Sequence, residues 1–242
     1  MLVQSLTFAA SAASLLGIRA REPSPRPTGP GSTLRAEIAE GMRFVMRNRV
    51  LRSLAVASAL SNLSFAVASA VTMIFLARTL GLPAWGVGLV VAAGSGAAMV
   101  GAAVTPALSD RVGSARVVWA ALAVTGPLTV LVAGARPGWS VTLVILGMAA
   151  GELGQIVYAI TNVSMRQRLC PERILGRVNA TMRVVIMALF PLGALAGGLL
   201  GDALGPRPTL LAAGLVALAA PAVLFPALRG YRDVEDLPGW GV

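Results

Sequence analysis

The chain contains no lysine and no histidine; its twenty basic residues are all arginine. Without Lys there is no Walker A loop, whose Lys reaches the β/γ-phosphates of a nucleotide, so this chain alone is no nucleotide-driven pump. Without His there is no imidazole metal site, no His proton relay and no His-based nucleophilic triad. The single cysteine, Cys170, can neither form an internal disulfide nor build a zinc site alone. Charged residues make up only 12% of the 242 positions, against about 25% in soluble domains. Conventional catalysis has almost no side chains to work with, and no metal or cofactor is expected.

Apolar residues are abundant, at 56%. They fall into long runs: Leu2–Ile18, then six more at about Ser53–Ala77, Trp85–Leu108, Val117–Ala133, Val141–Met165, Val184–Leu200 and Thr209–Leu228. A membrane-crossing helix needs about 20 such residues. The expected fold is therefore all-α and integral to a membrane. Arg19 and Arg21 follow the first run and none precedes it. That layout is the reverse of a signal peptide's and marks a span, short at its start. Residues Glu22–Ser32, rich in Pro, Gly and Ser, form a linker. In Thr33–Arg52, Leu34, Ile38, Met42 and Val45 recur at helical spacing among charged residues. This suits an amphipathic helix in the membrane interface, or a solvated helix with a few apolar residues.

Counting arginines on alternate sides of the spans gives seventeen against three. The arginine-rich side, with the central linker and the acidic tail, is expected to be cytoplasmic. The same bias accounts for the net charge of +10 without nucleic acid, whose binding would need a basic soluble domain.

Polar residues inside the spans are the candidates for transport chemistry. Ser58, Asn62, Ser69 and Thr72 share one helical face, with Phe65 filling the gap. Glu152, Gln155 and Asn162 share another, with Tyr158 near it. The two stripes line a common aqueous cavity, or they bind helix to helix. Glu152 is the sharper signal, because a charge at bilayer depth costs roughly 3 kcal/mol or more. Its own helix offers no nearby cation. It can exchange a proton in each transport cycle, pair with a cationic substrate, or serve structure alone. Gly193, Gly197 and Gly201 recur every four residues, as do Gly147 and Gly151; this is a signal for close helix packing. Pro106, Pro127, Pro191 and Pro221 lie in or at the edges of spans, as structural features or hinges.

Two connectors carry a family resemblance. Pro106–Arg116, PALSDRVGSAR, resembles the Gly-x-x-x-Asp-Arg-x-Gly-Arg-(Arg/Lys) loop of the major facilitator superfamily. Asp110, Arg111 and Gly113 match, and Arg116 supplies a displaced basic end. Pro106 stands in place of the first Gly and Ser114 in place of an Arg, as in the degenerate second copy of that loop. The connector Arg166–Arg183, read as an arginine-rich loop, resembles the one before the eleventh helix in a branch containing macrolide-efflux and enterobactin-exporter-like proteins. Gln167, Arg168, Pro171, Leu175, Gly176, Arg177, Val178 and Asn179 carry that likeness, with Glu40–Phe44 and Gly197–Asp202.

The resemblance implies a C-terminal six-helix bundle, helices seven to twelve, in residues 53–228. Residues 1–18 would be the end of helix six, 19–52 a cytoplasmic central loop and 229–242 a cytoplasmic tail. The implied activity is proton-coupled efflux of a drug, siderophore or macrolide-like molecule by alternating access, as an antiporter of the multidrug-resistance kind in the cell membrane. Glu152, Gln155, Tyr158, Asn162, Ser58, Asn62, Phe65, Ser69 and Thr72 would line the path. Asp110, Arg111, Gly113, Arg116, Arg168 and Arg177 would form the cytoplasmic gate loops, and the last span would sit peripherally. The implied partners are the lipid bilayer, a small-molecule substrate, and an N-terminal half chain or a second copy of this chain. A truncated gene product is the expected origin; a half-size membrane protein that modulates or scaffolds a partner is the alternative.

Overall fold

The computed structural model describes residues 2–16, 34–138 and 140–237. Every regular element among them is helical. Helix α1 (Leu2–Leu16) has 15 residues and belongs to a unit of its own. The expected linker at residues 22–32 lies outside the described residues. The second unit contains α2 (Leu34–Arg47), α3 (Arg49–Ile74), α4 (Ala84–Val112), α5 (Ser114–Ala133), α6 (Ser140–Leu169), α7 (Glu172–Leu204) and α8 (Pro206–Leu228). Six of its helices, α3 to α8, are long and apolar enough to cross a membrane.

The helices run past the apolar stretches that announce them, and the reasons are local. Asn48 breaks the chain after α2, and its side-chain oxygen accepts from Leu51 N at 2.9 Å, capping α3 four residues before the expected start. A five-residue π turn, Phe75–Thr79, ends α3 and turns both Phe75 and Leu76 inward. The largest difference is the connector Arg166–Arg183. It is not a loop: among its residues only Cys170 and Pro171 lie outside helix. Arg, Gln, Leu, Met and Glu are good helix formers, so the charges mark where the helices leave the apolar layer, not where they end. Pro171 stands at the N-cap of α7, where no helical N–H is needed.

Close packing runs α4–α6–α5–α8–α3–α7. Gly193, Gly197 and Gly201 of α7 lie against Leu63, Ala66, Val67 and Val71 of α3. Gly126 of α5 faces Leu218, and Gly214 of α8 faces Val130. Trp119 of α5 meets Phe225 of α8 edge-on at 5.2 Å. The expectation of a peripheral last span needs correction. Helix α8 buries 39% of its most apolar stretch, as α3 does, against 11% for α7. Its Ala-rich face (Ala213, Ala217, Ala220, Ala227) admits it between α3 and α5, while Leu211, Leu215 and Phe225 face outward.

The buried apolar side chains form two separate clusters. One sits at the arginine-rich end, around Leu51, Leu54, Val118, Leu122, Met165 and Leu224. The other, around Val71, Phe75, Leu76, Val90, Val144 and Leu210, closes the opposite end. Polar side chains concentrate in the gap between them. Helix α2 packs at the arginine-rich end against the start of α7. There Arg177 pairs with Glu40, and Gly41 lies beside Thr181 and the Arg177 carbonyl. Val45 is buried while Ile38, Met42 and Met46 are exposed, leaving α2 one apolar surface free.

Candidate functional site

Between the two apolar clusters lies a cavity of about 440 Å³. Helix α3 contributes Ser61, Ser64, Phe65, Ser69 and Thr72 to its wall, and α6 contributes Gly151, Glu152 and Gln155. Helix α4 adds Val90, Gly94 and Ser95, and α5 adds Thr125 and Thr129. The wall mixes hydroxyls with Met73, Met148 and Phe75, as suits an organic molecule with a few polar groups.

Glu152 is the one ionisable side chain on this wall. It is half-buried and lies against Gly94, where an added Cβ would come within 3.3 Å of the Glu152 Cγ. The missing side chain at Gly94 leaves the carboxylate its place. No cation pairs with Glu152 among the described residues. Gln155, one turn along α6, accepts a hydrogen bond from Ser61 Oγ at 3.0 Å and fixes the α3–α6 spacing beside it.

Eight of the nine stripe residues separate into two groups. Phe65, Ser69, Thr72, Glu152 and Gln155 line the cavity. Ser69 and Thr72 give their hydroxyl hydrogens to carbonyls of their own helix, Ala66 and Ala68, and present oxygen lone pairs to the space. Ser58, Tyr158 and Asn162 lie off the cavity, in a buried cluster nearer the arginine-rich end. Ser58 Oγ and Tyr158 Oη are 2.7 Å apart, and Asn162 Nδ2 donates to both, at 2.8 and 2.9 Å. Asn62 turns back to the Ser58 carbonyl at 2.8 Å. Ser61, Ser64, Ser95, Thr125 and Thr129 were not singled out from sequence. Thr125 and Thr129 stand four apart on one face of α5, a pair too short to register as a stripe. Ser64 also donates to Ala213 O at 2.7 Å, tying α3 to α8.

At the arginine-rich end a second cavity of about 240 Å³ is lined by Ser109, Asp110, Ser114, Thr161, Ser164, Arg168 and Asp233, among others. Asp110 and Arg168 of the expected gate loops therefore share one site. Arg111 contributes its carbonyl, which accepts from Arg232 at 3.1 Å. Gly113 has φ +99°, and the Arg232 carbonyl occupies the place a side chain would take, so only glycine fits. Arg116 is exposed. Arg177 lies apart from this group, on Glu40.

The segment Tyr231–Leu237 holds these parts together. Asp233 accepts from the Ser114 hydroxyl and from the Ser114 and Val234 amides, so it serves the first turn of α5 as a cap brought from the tail. Glu235 pairs with Arg168 at 3.1 Å. The Ser114 hydrogen bond holds the Asp233 carboxyl below its ordinary range. At the α6–α7 break, burial pushes the Cys170 thiol up to about 11. The acidic run DVED at 233–236, opposite an arginine excess, was the available sequence signal for this clasp. Among the described residues no group of three or more Cys, Asp or Glu side chains is placed to hold a metal ion.

Residues 1–187 match the family model of the Major Facilitator Superfamily. Compared with curated proteins, the chain matches none.

Proposed function

Because the chain belongs to the major facilitator superfamily of membrane transporters, we propose that its six spans act as the C-terminal half of a proton-coupled exporter of a small organic molecule. A facing half, from an N-terminal chain or a second copy, would complete the path, and the two halves would rock about a site near the bilayer midplane. The arginine-rich end would be cytoplasmic by charge bias, in the cell membrane. The loop resemblances support the drug, siderophore and macrolide exporter branch.

The observation that carries this reading is Glu152, a carboxylate with no cation partner among the described residues, on the wall of a cavity beside the apolar cluster of Phe75, Val90 and Leu210. Its role is to hold a proton or a cationic substrate group in turn. Two unit charges 4 Å apart at an effective dielectric constant of 20 attract by about 4 kcal/mol, enough for such competition to drive release. With a carboxylate and no cation on the wall, a cationic or neutral substrate is favoured over a multiply anionic siderophore. Helices α4 and α7 bury only 17% and 11% of their most apolar stretches, which suits a covering partner and equally favours the second reading, a half-size protein acting on that partner.

The test places this bundle with a facing half in proteoliposomes and follows a fluorescent lipophilic cation. Glu152→Gln should abolish uptake driven by a pH gradient while leaving the protein folded. Undiminished gradient-driven uptake would remove Glu152 from the coupling mechanism.

A further inference from the structure

The cluster of Ser58, Tyr158 and Asn162 does not close on itself. Asn162 has two amide hydrogens, and both are spent, on Ser58 Oγ and Tyr158 Oη. The two hydroxyls share one hydrogen between them. One hydroxyl hydrogen is then left without an acceptor among the described residues. Asn162 Oδ1 is buried and has no partner among the described residues, on a residue only 6% exposed. The cluster thus carries one unmet donor and one unmet acceptor side by side, and each is unfavourable if left so. Turning the amide over exchanges these for two unmet N–H donors, so neither orientation is satisfied from within.

We propose that this cluster binds one water molecule, which accepts the spare hydroxyl hydrogen and donates to Asn162 Oδ1, and that it relays protons between the Glu152 cavity and the arginine-rich end. Buried water characteristically serves such otherwise unmet groups. Helices α3 and α6 are not among the closely packed pairs of the bundle, and the side chains of Ser58, Tyr158 and Asn162 bridge them here. The placement for relay follows from α6, where Glu152, Gln155, Tyr158, Asn162 and Arg166 follow at intervals of 3, 3, 4 and 4 along one face.

Transfer is balanced at each step. A proton arriving on the hydroxyl oxygen farther from the water sends that group's hydrogen to the second hydroxyl oxygen, whose own hydrogen passes to the water, and the water releases one of its hydrogens to solvent at the arginine-rich end. Only O–H bonds form and break, no charge stays behind, and the hydroxyls must turn back before the next proton. Either hydroxyl can be the donor in the Ser58–Tyr158 pair, as this requires. The relay rests on the reading of Glu152 as a proton site; the bound water does not.

The chain has only two tyrosines, Tyr158 and Tyr231, so Tyr231→Phe leaves Tyr158 as a unique probe. The parent for the experiment is this variant with ¹³Cζ-labelled tyrosine, in lipid nanodiscs in an equal mixture of H₂O and D₂O. A hydroxyl that exchanges with solvent through the bound water gives one averaged Cζ line; a sealed hydroxyl gives two isotope-shifted lines. One line is expected in the parent, and two in Asn162→Leu, which removes the amide and fills the space. Ser58→Ala, a smaller change, should likewise slow exchange and serves if Asn162→Leu does not fold. Two lines in the parent, or one line persisting in the substituted chains, would overturn the proposal. Glu152→Gln should leave the single line in place. Normal coupled transport by that variant, with the single line kept, would overturn the relay and the Glu152 reading while leaving the water site standing.

Discussion

Gly197→Ala and Gly198→Ala differ by one position on α7 and should differ widely in consequence. A Cβ on Gly197 would lie 2.5 Å from the Val67 carbonyl oxygen, 2.9 Å from Val67 Cα and 3.0 Å from Ala70 Cβ. Two of these neighbours are backbone atoms of α3, which cannot turn aside as a side-chain tip can. A Cβ on Gly198 meets nothing within 4 Å. Both changes gain the same helix preference, up to about 1 kcal/mol in favour of Ala. Comparing them cancels that gain and isolates the cost of forcing α7 off α3. Overpacking of this kind costs about 1–3 kcal/mol, and rigid backbone puts Gly197 at the upper end. The two variants should therefore differ by about 3 kcal/mol, roughly a hundredfold in unfolding equilibrium constant. Reversible unfolding in mixed detergent micelles, followed by tryptophan fluorescence, measures it. A Gly197→Ala chain as stable as Gly198→Ala would refute the close approach of the two helices.

Cys170, raised to about 11 by burial, should react slowly with a maleimide at pH 8 and much faster once the chain is denatured; equal rates would place the thiol in solvent. Asp233 has a folded pKa below its ordinary value, so its contribution is present above that ordinary value and is lost as pH falls through the depressed one. Asp233→Ala should remove the cap at any pH, cost about 1 kcal/mol, and speed tryptic cleavage after Arg232; unchanged cleavage would mean that the clasp does not hold the tail. A reporter fused after Arg229 should read as cytoplasmic, and activity on the opposite side would reverse the proposed orientation.

The spans were legible because twenty apolar residues in a row have few alternatives. Their ends were not, because Arg166 to Arg183 read as a loop on charge while its residues are helix formers. Periodicity also showed which residues share a face but not how deep they sit. Ser58, Tyr158 and Asn162 fall on the stripes of Ser69 and Glu152, yet they lie off the cavity, on the side toward the apolar cluster at the arginine-rich end. Of the tail clasp only the acidic run was legible: Asp233 and Ser114 stand 119 residues apart, and only the folded chain pairs them. Helix α8 was misjudged because the absence of charge says that a helix is in lipid or in protein, without saying which.

The seams of this bundle are unequal in kind, and that decides where it would yield. Helices α3, α7 and α8 adhere through glycine and alanine surfaces, and α4, α5 and α6 likewise form a run of close neighbours. The two trios meet along α5 and α8, where Gly126 and Gly214 are seated on the opposite helix. Across the cavity they meet chiefly through side chains, at Ser61–Gln155 and in the Ser58–Tyr158–Asn162 cluster. A glycine seam resists separation until van der Waals contact is lost along its length. A hydrogen bond is replaceable by water at a net cost of about 0.5–1.5 kcal/mol. Load on the bundle would therefore part α3 from α6 first, with the α5–α8 seam as the pivot line.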